Sequence, residues 1–328
     1  MNLIRAGLDV TIIERGKKVE ERIKDVEKLF TNHDFNKESN VCYGEGGAGT
    51  FSDGKLNTGV NDSYSQIIYN EFVKYGAPNE IMYESHPHIG SDKLREVLIN
   101  IRKDLENKTT YLFEHTLIDI NNSNSKIQLT LKHDEKIIIQ EYDYVLLAIG
   151  HNPYETFKML YNKGIQMEAK PFSMGVRIEH LQKNIDYANY GKHYKNPKFS
   201  ASTYKLVTHL KNGRSVYTFC MCPGGVVVPS NCEEHSIVTN GMSYFARDKE
   251  NANSALLVNV TPLDYGNTPL GGFEFQRKYE RKAYELSNSY KAPTQLVKDF
   301  LKDRESTEFK SVKASYYGGT VFRNLKDC

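Results

Sequence analysis

The chain has 328 residues, 43 basic against 41 acidic side chains and a formal net charge of +2. That is length enough for two domains and a large core, with no charge excess to suggest nucleic acid or an anionic membrane surface as partner. No apolar run approaches the roughly 20 residues that cross a bilayer, MNLIRAGLDVTIIERG lacks the apolar region and cleavage site of a secretory signal, and five cysteines are too few and too unevenly spaced for a disulfide framework. The expectation is a soluble protein of a reducing compartment, the cytoplasm.

In chain order, MNLIRA reads as the end of an apolar helix stopped by Gly7, and Asp9–Glu14 as a short β-branched strand ending in an acid. In GKKVEERIKDVEKLF, Val19, Ile23, Val26 and Phe30 recur at helical spacing with a charged opposite face. Residues 31–59 are polar and rich in Asn and Gly, so a long ordered loop is expected. Two helices follow: one carries Ile67, Ile68, Phe72 and Val73, and one is N-capped by Ser91 and striped by Leu94, Val97, Leu98, Ile101 and Leu105.

From Thr109 the period changes to two. TTYLFEHTLIDI, KIQLTLKH and KIIIQEYDYVLLAIG predict a three-stranded meander. Its last part, Val145 to Ile149, has no polar residue, the signature of a strand buried on both faces. A helix after Pro153 and before Gly164 comes next. The second half alternates strand-like runs (SVYTFCMC, GVVVP, SIVTNGM, ALLVNVTP) with loops, and helices return near GGFEFQRKYERKAYELSNS and TQLVKDFLKD. A boundary is placed at 150/151.

The stretch GEGGAGTFSDGKLNT, Gly44 to Thr58, fits two phosphate-binding patterns on paper. Gly44, Gly46 and Gly49 are spaced as G-x-G-x-x-G, but no buried strand precedes them and no helix follows, as that fingerprint requires. As a P-loop the stretch fails at Leu56, where a hydroxyl should bind magnesium. What remains is a backbone freed by Gly44, Gly46, Gly47, Gly49, Gly54 and Gly59 to approach a flat or anionic ligand, with Ser52, Asp53 and Lys55 as polar contacts, or else a turn-rich surface loop. Asp9–Glu14, in contrast, reads as the second strand of a dinucleotide-binding βαβ unit, whose terminal acid holds ribose hydroxyls.

The stretches RAGLDVTIIERGKKVEER, YGEGGAGTFSDGKLNTG, PHIGSDKL, YLFEHTLIDI, DYVLLAIGHNPYETFKML, EAKPFSMGVRIEH, FCMCPGGVVVPS and VTNGMSYFARDKENANSALLVNV, in this order, resemble bacterial FAD-dependent, NAD(FAD)-utilising dehydrogenases with a glutathione-reductase-like FAD fold. The resemblance implies an α/β chain. Residues 1–150 would be a Rossmann-like three-layer FAD/NAD(P)-binding domain, incomplete because its first strand and glycine loop are missing. Residues 151–328 would be an inserted α+β substrate domain. It implies FAD held by Glu14 and Arg15 at the ribose, by Gly44, Gly46, Gly47, Ser52, Gly54 and Lys55 along the flavin and pyrophosphate, and by Gly150 where the chain leaves the FAD domain. Ile149 stands where the family has Thr, and HNPYETF departs from its usual His-Ser-Ala-Arg-Asp run. The family's C-terminal Gly-Asp segment is not found either, so weak or absent FAD binding is expected of this chain.

Cys220-Met-Cys222 is the strongest chemical feature of the second half. Beside a flavin a low-pKa thiolate can form an adduct or exchange electrons, which would make Cys222 a second redox centre and Lys55 a stabiliser of anionic reduced flavin. Buried structural thiols are the plain alternative. With Cys232 and His235 the run could instead be a zinc-bound interaction module, although the spacing is irregular and no metal site is assigned. His86 and His88 read as ordinary loop histidines. Arg177 and Arg247 suit an anionic small-molecule substrate, or structural ion pairs. The function expected is that of an FAD-dependent oxidoreductase of unnamed substrate, the alternative being a non-catalytic flavoprotein fragment.

Overall fold

The structure, a computed structural model, describes residues 1–56 and 63–328. The loop glycine Gly59 therefore lies outside the described residues. The chain opens with one turn of helix, α1 (Asn2–Arg5), which Gly7 ends at φ 80°. Strand β1 (Thr11–Glu14) and the amphipathic α2 (Val19–Asn32) follow. Up to Leu56 the chain is irregular except for a 3₁₀ turn at Gly47–Phe51. Helices α3 (Ser63–Lys74) and α4 (Ser91–Leu105) flank a second 3₁₀ turn. Ser91 is the first helical residue of α4 and the cap is Gly90. The expected Ser91 cap is thus displaced by one position, because its amide is tied across to the Ser243 carbonyl at 3.3 Å.

Strand β2 (Thr110–Phe113) runs parallel to β1 in register Thr11↔Thr110 to Glu14↔Phe113. Strands β3 (Thr116–Ser123), β4 (Lys126–His133) and β5 (Lys136–Tyr142) form the expected antiparallel meander, with TTYLFEHTLIDI split between β2 and β3. The apolar run 143–150 is not a strand. Tyr144 is 92% and Leu146 84% exposed, and none of the described residues pairs with its backbone. An all-apolar strand pattern records a need for cover on both faces, and the described residues supply no neighbouring strand and cover only Val145 and Ile149 in part.

Helix α5 (Tyr154–Asn162) leads to β6 (Phe172–Leu181) and α6 (Gln182–Tyr190). Strands β7 (Val207–His209), β8 (Ser215–Cys222), β9 (Val226–Pro229), β10 (Thr239–Met242) and β11 (Asn251–Val260) come next. They build a four-stranded antiparallel sheet in the order β6-β11-β8-β7 and a separate β10-β9 pair. The chain closes with α7 (Pro262–Tyr265), α8 (Gly271–Ser287), β12 (Ala292–Thr294), α9 (Val297–Leu301) and β13 (Thr320–Phe322), β12 and β13 pairing in parallel. The architecture is mixed α/β with several small sheets.

Burial is divided among several clusters. Tyr75, Ala77, Ile81, Ile89 and Val97 form the core under α3 and α4. Val26, Val41 and Phe51 join α2 to the glycine-rich loop. Val226, Val228 and Met242 carry β9 and β10 onto that cluster through Phe30. This last contact seats the first-half loop beside β8 and β9 and so positions the site.

Candidate functional site

Strand β8 does not pair evenly with β11. Asn253 faces Cys222 and Ala255 faces Phe219, so Cys220 and Met221 together oppose Ser254 alone. Cys220 absorbs this bulge in the left-handed region, φ 47°, which costs a non-glycine residue about 1–2 kcal/mol. A bulge re-aims side chains, and here Cys220 and Cys222 both meet one ammonium. Lys55 Nζ lies 3.8 Å from Cys220 Sγ and 3.6 Å from Cys222 Sγ.

Lys55 is held by the stretch 53–56 running antiparallel to 87–90. Leu56 N donates to Pro87 O at 2.9 Å, Ile89 N to Gly54 O at 3.0 Å, and Gly90 N to Asp53 O at 3.1 Å, with Lys55 bridged to His88. Asp53, 1% exposed, pairs with Lys55 Nζ at 2.7 Å and Arg247 Nη2 at 3.4 Å. Its other oxygen is buried without a hydrogen-bond partner, as are Nδ1 of His88 and Nε of Arg247. His88 stacks on Phe245.

Arg177 closes the far side. It hydrogen bonds to Asn253 Oδ1, to Cys220 O at 3.4 Å and to Asn240 Oδ1 at 3.4 Å, while its Nε is buried and unpartnered. Gly241 is the one residue type that fits there, since a Cβ would collide with Arg177, Asn253 and Cys222 Sγ.

These contacts divide the two thiols. The hydrogen bond from Cys222 pulls Cys220 down to about 5, and Lys55 and Arg177 help it against burial. Cys222 moves up, because Cys220 and burial both favour its proton. Burial works against the Lys55 ammonium, but Cys222, Asp53 and Cys220 together outweigh it and hold Lys55 above its ordinary value. His88 is pushed down by burial and by Arg247. The site is thus a thiolate and a thiol sharing one cation, with two guanidinium N–H groups and a carboxylate oxygen left over.

The other sequence candidates fall elsewhere. Glu14 Oε1 accepts the amides of Gly16 at 2.9 Å and Gly44 at 3.0 Å, closing the loop onto the end of β1. Arg15 pairs with Glu38 and lies 4.0 Å over the Tyr43 ring. Gly44 is packed against Arg22, and Gly46 against Leu98 and Thr50. Gly47 is unobstructed where a side chain would project, and so is Gly150 in the exposed run after β5. Ser52 is half-buried, its amide bound to Gly49 O. Gly54 shares the Lys55 strand.

Arg22 is the residue that sequence reasoning missed. It is fully buried at the centre of the loop and donates to the carbonyls of Asn40, Val41, Gly44, Glu45 and Gly47 and to Thr50 Oγ1, at 2.7–3.3 Å. Three residues after Val19 and four before Val26, it lies on the buried face of α2, and that spacing was the available sign. Gly241, a glycine inside a strand pattern, was the one available sign of the close packing behind Cys222. Among the described residues no group of three or more His, Cys, Asp or Glu side chains is arranged to hold a metal. Cys232 meets Cys42 instead of the C-x-C pair, and His235 packs on Tyr284. No helix among the described residues is long and apolar enough to cross a membrane.

Residues 171–328 match the family described as "FAD-dependent protein, C-terminal domain-like". The chain is 46% identical over 332 residues to an uncharacterized protein of Clostridium beijerinckii, and the match takes in 100% of this chain and 62% of that one. It therefore spans less than two thirds of that relative. Among solved structures, tetracycline destructase Tet(51) is similar at 12% identity and a TM-score of 0.31, over 84% of this chain and 62% of that one, a likeness too low to carry an argument. The stretch similar to a domain of FAD-dependent proteins is the one that contains Cys220, Cys222, Arg177 and Arg247.

Proposed function

We propose that this chain belongs to an FAD-dependent oxidoreductase of the dehydrogenase type acting on a small anionic molecule, with Cys220, Cys222 and Lys55 as its reactive centre. One observation carries the reading: Lys55 from the first half lies within 4 Å of both sulfurs of a C-x-C pair in the second. A cation between two thiols lets one stay ionised while the other keeps a proton, the arrangement a dithiol needs to attack and then resolve. The Cys220 thiolate is the nucleophile, Cys222 holds the proton at its sulfur, and Lys55 stabilises the charge. Arg177 and Arg247 each keep an unpartnered buried N–H, which suits a carboxylate or phosphate on the substrate. Asp53 and His88 hold Lys55 and Arg247 in place.

The residues present fit one end of FAD. Glu14 spends Oε1 on backbone amides, which leaves Oε2 for a ribose hydroxyl, and the backbone at Gly47 is open. Gly44 and Gly46 are filled by the protein's own side chains and form no cradle for a pyrophosphate. A bound flavin would supply hydride chemistry. The Rossmann-like reading of residues 1–150, the boundary at 150/151 and a cytoplasmic location belong to this same proposal. The packed glycines favour a second reading, a non-catalytic flavoprotein unit.

An absorbance spectrum from 300 to 550 nm, with and without excess FAD, tests the cofactor. Iodoacetamide labelling of Cys220 from pH 4 to 9 tests the centre. Shifted, structured flavin bands together with a labelling midpoint near 5 support the proposal. A flat difference spectrum with a midpoint at the ordinary thiol value refutes it and leaves the non-catalytic reading.

A further inference from the structure

A second thiol pair lies apart from Lys55. Cys42, in the first-half loop, and Cys232, in the turn after β9, meet although 190 positions separate them. Cys42 Sγ also lies 3.3 Å from the Ser230 carbonyl. Both backbones are fixed. Asn40 Oδ1 accepts the amides of Cys42 and Tyr43 at 2.9 and 3.1 Å, and Arg22 holds the Val41 carbonyl at 2.8 Å. On the other side Ser230 N donates to Val238 O at 2.8 Å, and Ser236 Oγ to Glu233 O at 2.7 Å. The contact is therefore built into the fold and does not depend on a chance rotamer.

We propose that Cys42 and Cys232 are a peroxide-sensitive dithiol whose oxidation joins the glycine-rich loop to the β9 turn. Cys42 is 8% exposed and Cys232 is half-buried, so the pair admits a small hydroperoxide more readily than a bulky disulfide. Cys42 is the sulfur that ionises: the hydrogen bond from Cys232, with help from Ser230 and Arg22, outweighs burial and lowers it, while the same contact raises Cys232. The Cys42 thiolate attacks hydrogen peroxide. An S–O bond forms, the O–O bond breaks, and the departing hydroxide takes the proton that Cys42 gave up, leaving water and a sulfenic acid at Cys42. Cys232 then attacks that sulfur. The S–S bond forms as the S–O bond breaks, and the second hydroxide leaves as water with the Cys232 proton. Two thiols and one peroxide give one disulfide and two waters. Nothing in this step requires FAD or the Cys220–Cys222 pair.

The test uses the full chain in native buffer, treated with equimolar hydrogen peroxide, alkylated and mapped by mass spectrometry without reduction. A cross-linked peptide containing Cys42 and Cys232, lighter by two hydrogens and released by dithiothreitol, is expected. Because the link closes a long loop, a reversible rise in the thermal midpoint should accompany it. In Cys232→Ser, with no resolving thiol, dimedone should instead label Cys42 as a sulfenic acid. Recovery of both cysteines from oxidised wild type as alkylated thiols, or as separate sulfinic acids, overturns the proposal. Since the wild-type map needs no variant, a misfolded substitution leaves it decisive.

Discussion

Arg22 shows how much one side chain can organise. Its guanidinium is withdrawn from water and satisfied almost wholly by backbone carbonyls of residues 40–47, so the loop is wrapped around it. Removing it leaves several buried carbonyls without donors, and breaking such a network costs about 3–5 kcal/mol. Arg22→Met should lose that much stability in urea unfolding, and Arg22→Lys nearly as much, since an ammonium has three donors and no planar fork. Lys55 bears instead on the ionisation of Cys220. It is one of the cations that keep Cys220 ionised down to about 5, so Lys55→Met should raise the pH midpoint of Cys220 alkylation by one unit or more while Arg177 still holds it below the ordinary value. An unchanged midpoint would remove Lys55 from the proposed centre.

At the scale of elements, what was legible depended on whether the determining contacts were local. The strands β3 to β5 and β8 to β11, and the helices α4 and α8, follow from period and turn residues because neighbouring strands or one apolar stripe complete them. The bulge in β8 was not legible, since it exists only through its register with β11. It is nonetheless what brings Cys220 and Cys222 to one cation. Gly241 on β10 leaves room for that arrangement, so Gly241→Ala should destabilise the fold by about 1–3 kcal/mol and slow Cys220 labelling at pH 6. Helix α8 carries a different dependence. Burial, then Glu233, pushes Glu280 up to about 7. A raised folded value means that the group stabilises the fold fully below its unfolded value near 4.5 and that this contribution is lost as pH climbs through about 7. Glu280 keeps some solvent exposure, so the effect is about 1 kcal/mol. Glu280→Gln should therefore gain stability relative to wild type between pH 5 and pH 8, and a difference that does not vary with pH would contradict this.

Over the whole molecule the two halves meet at polar contacts as much as at apolar ones. Lys55, Asp53 and His88 reach Cys220, Cys222, Arg247 and Phe245, while Cys42 reaches Cys232. Sequence could name most of these residues and not their pairing, because contacts across more than 100 positions leave no local period. The apolar run 143–149 is the reverse case, a clear local signal without the neighbours it calls for. Its pattern alone predicts that a charge at Leu146 would cost several kcal/mol, as any unpaired buried charge does. In this chain Leu146 is 84% exposed, so Leu146→Lys should change the unfolding free energy by less than about 0.5 kcal/mol. Urea unfolding of the two proteins separates the cases. A small change fits the run as found here, exposed and unpaired. A loss of several kcal/mol would mean that in solution the run is covered on both faces, as its composition demands.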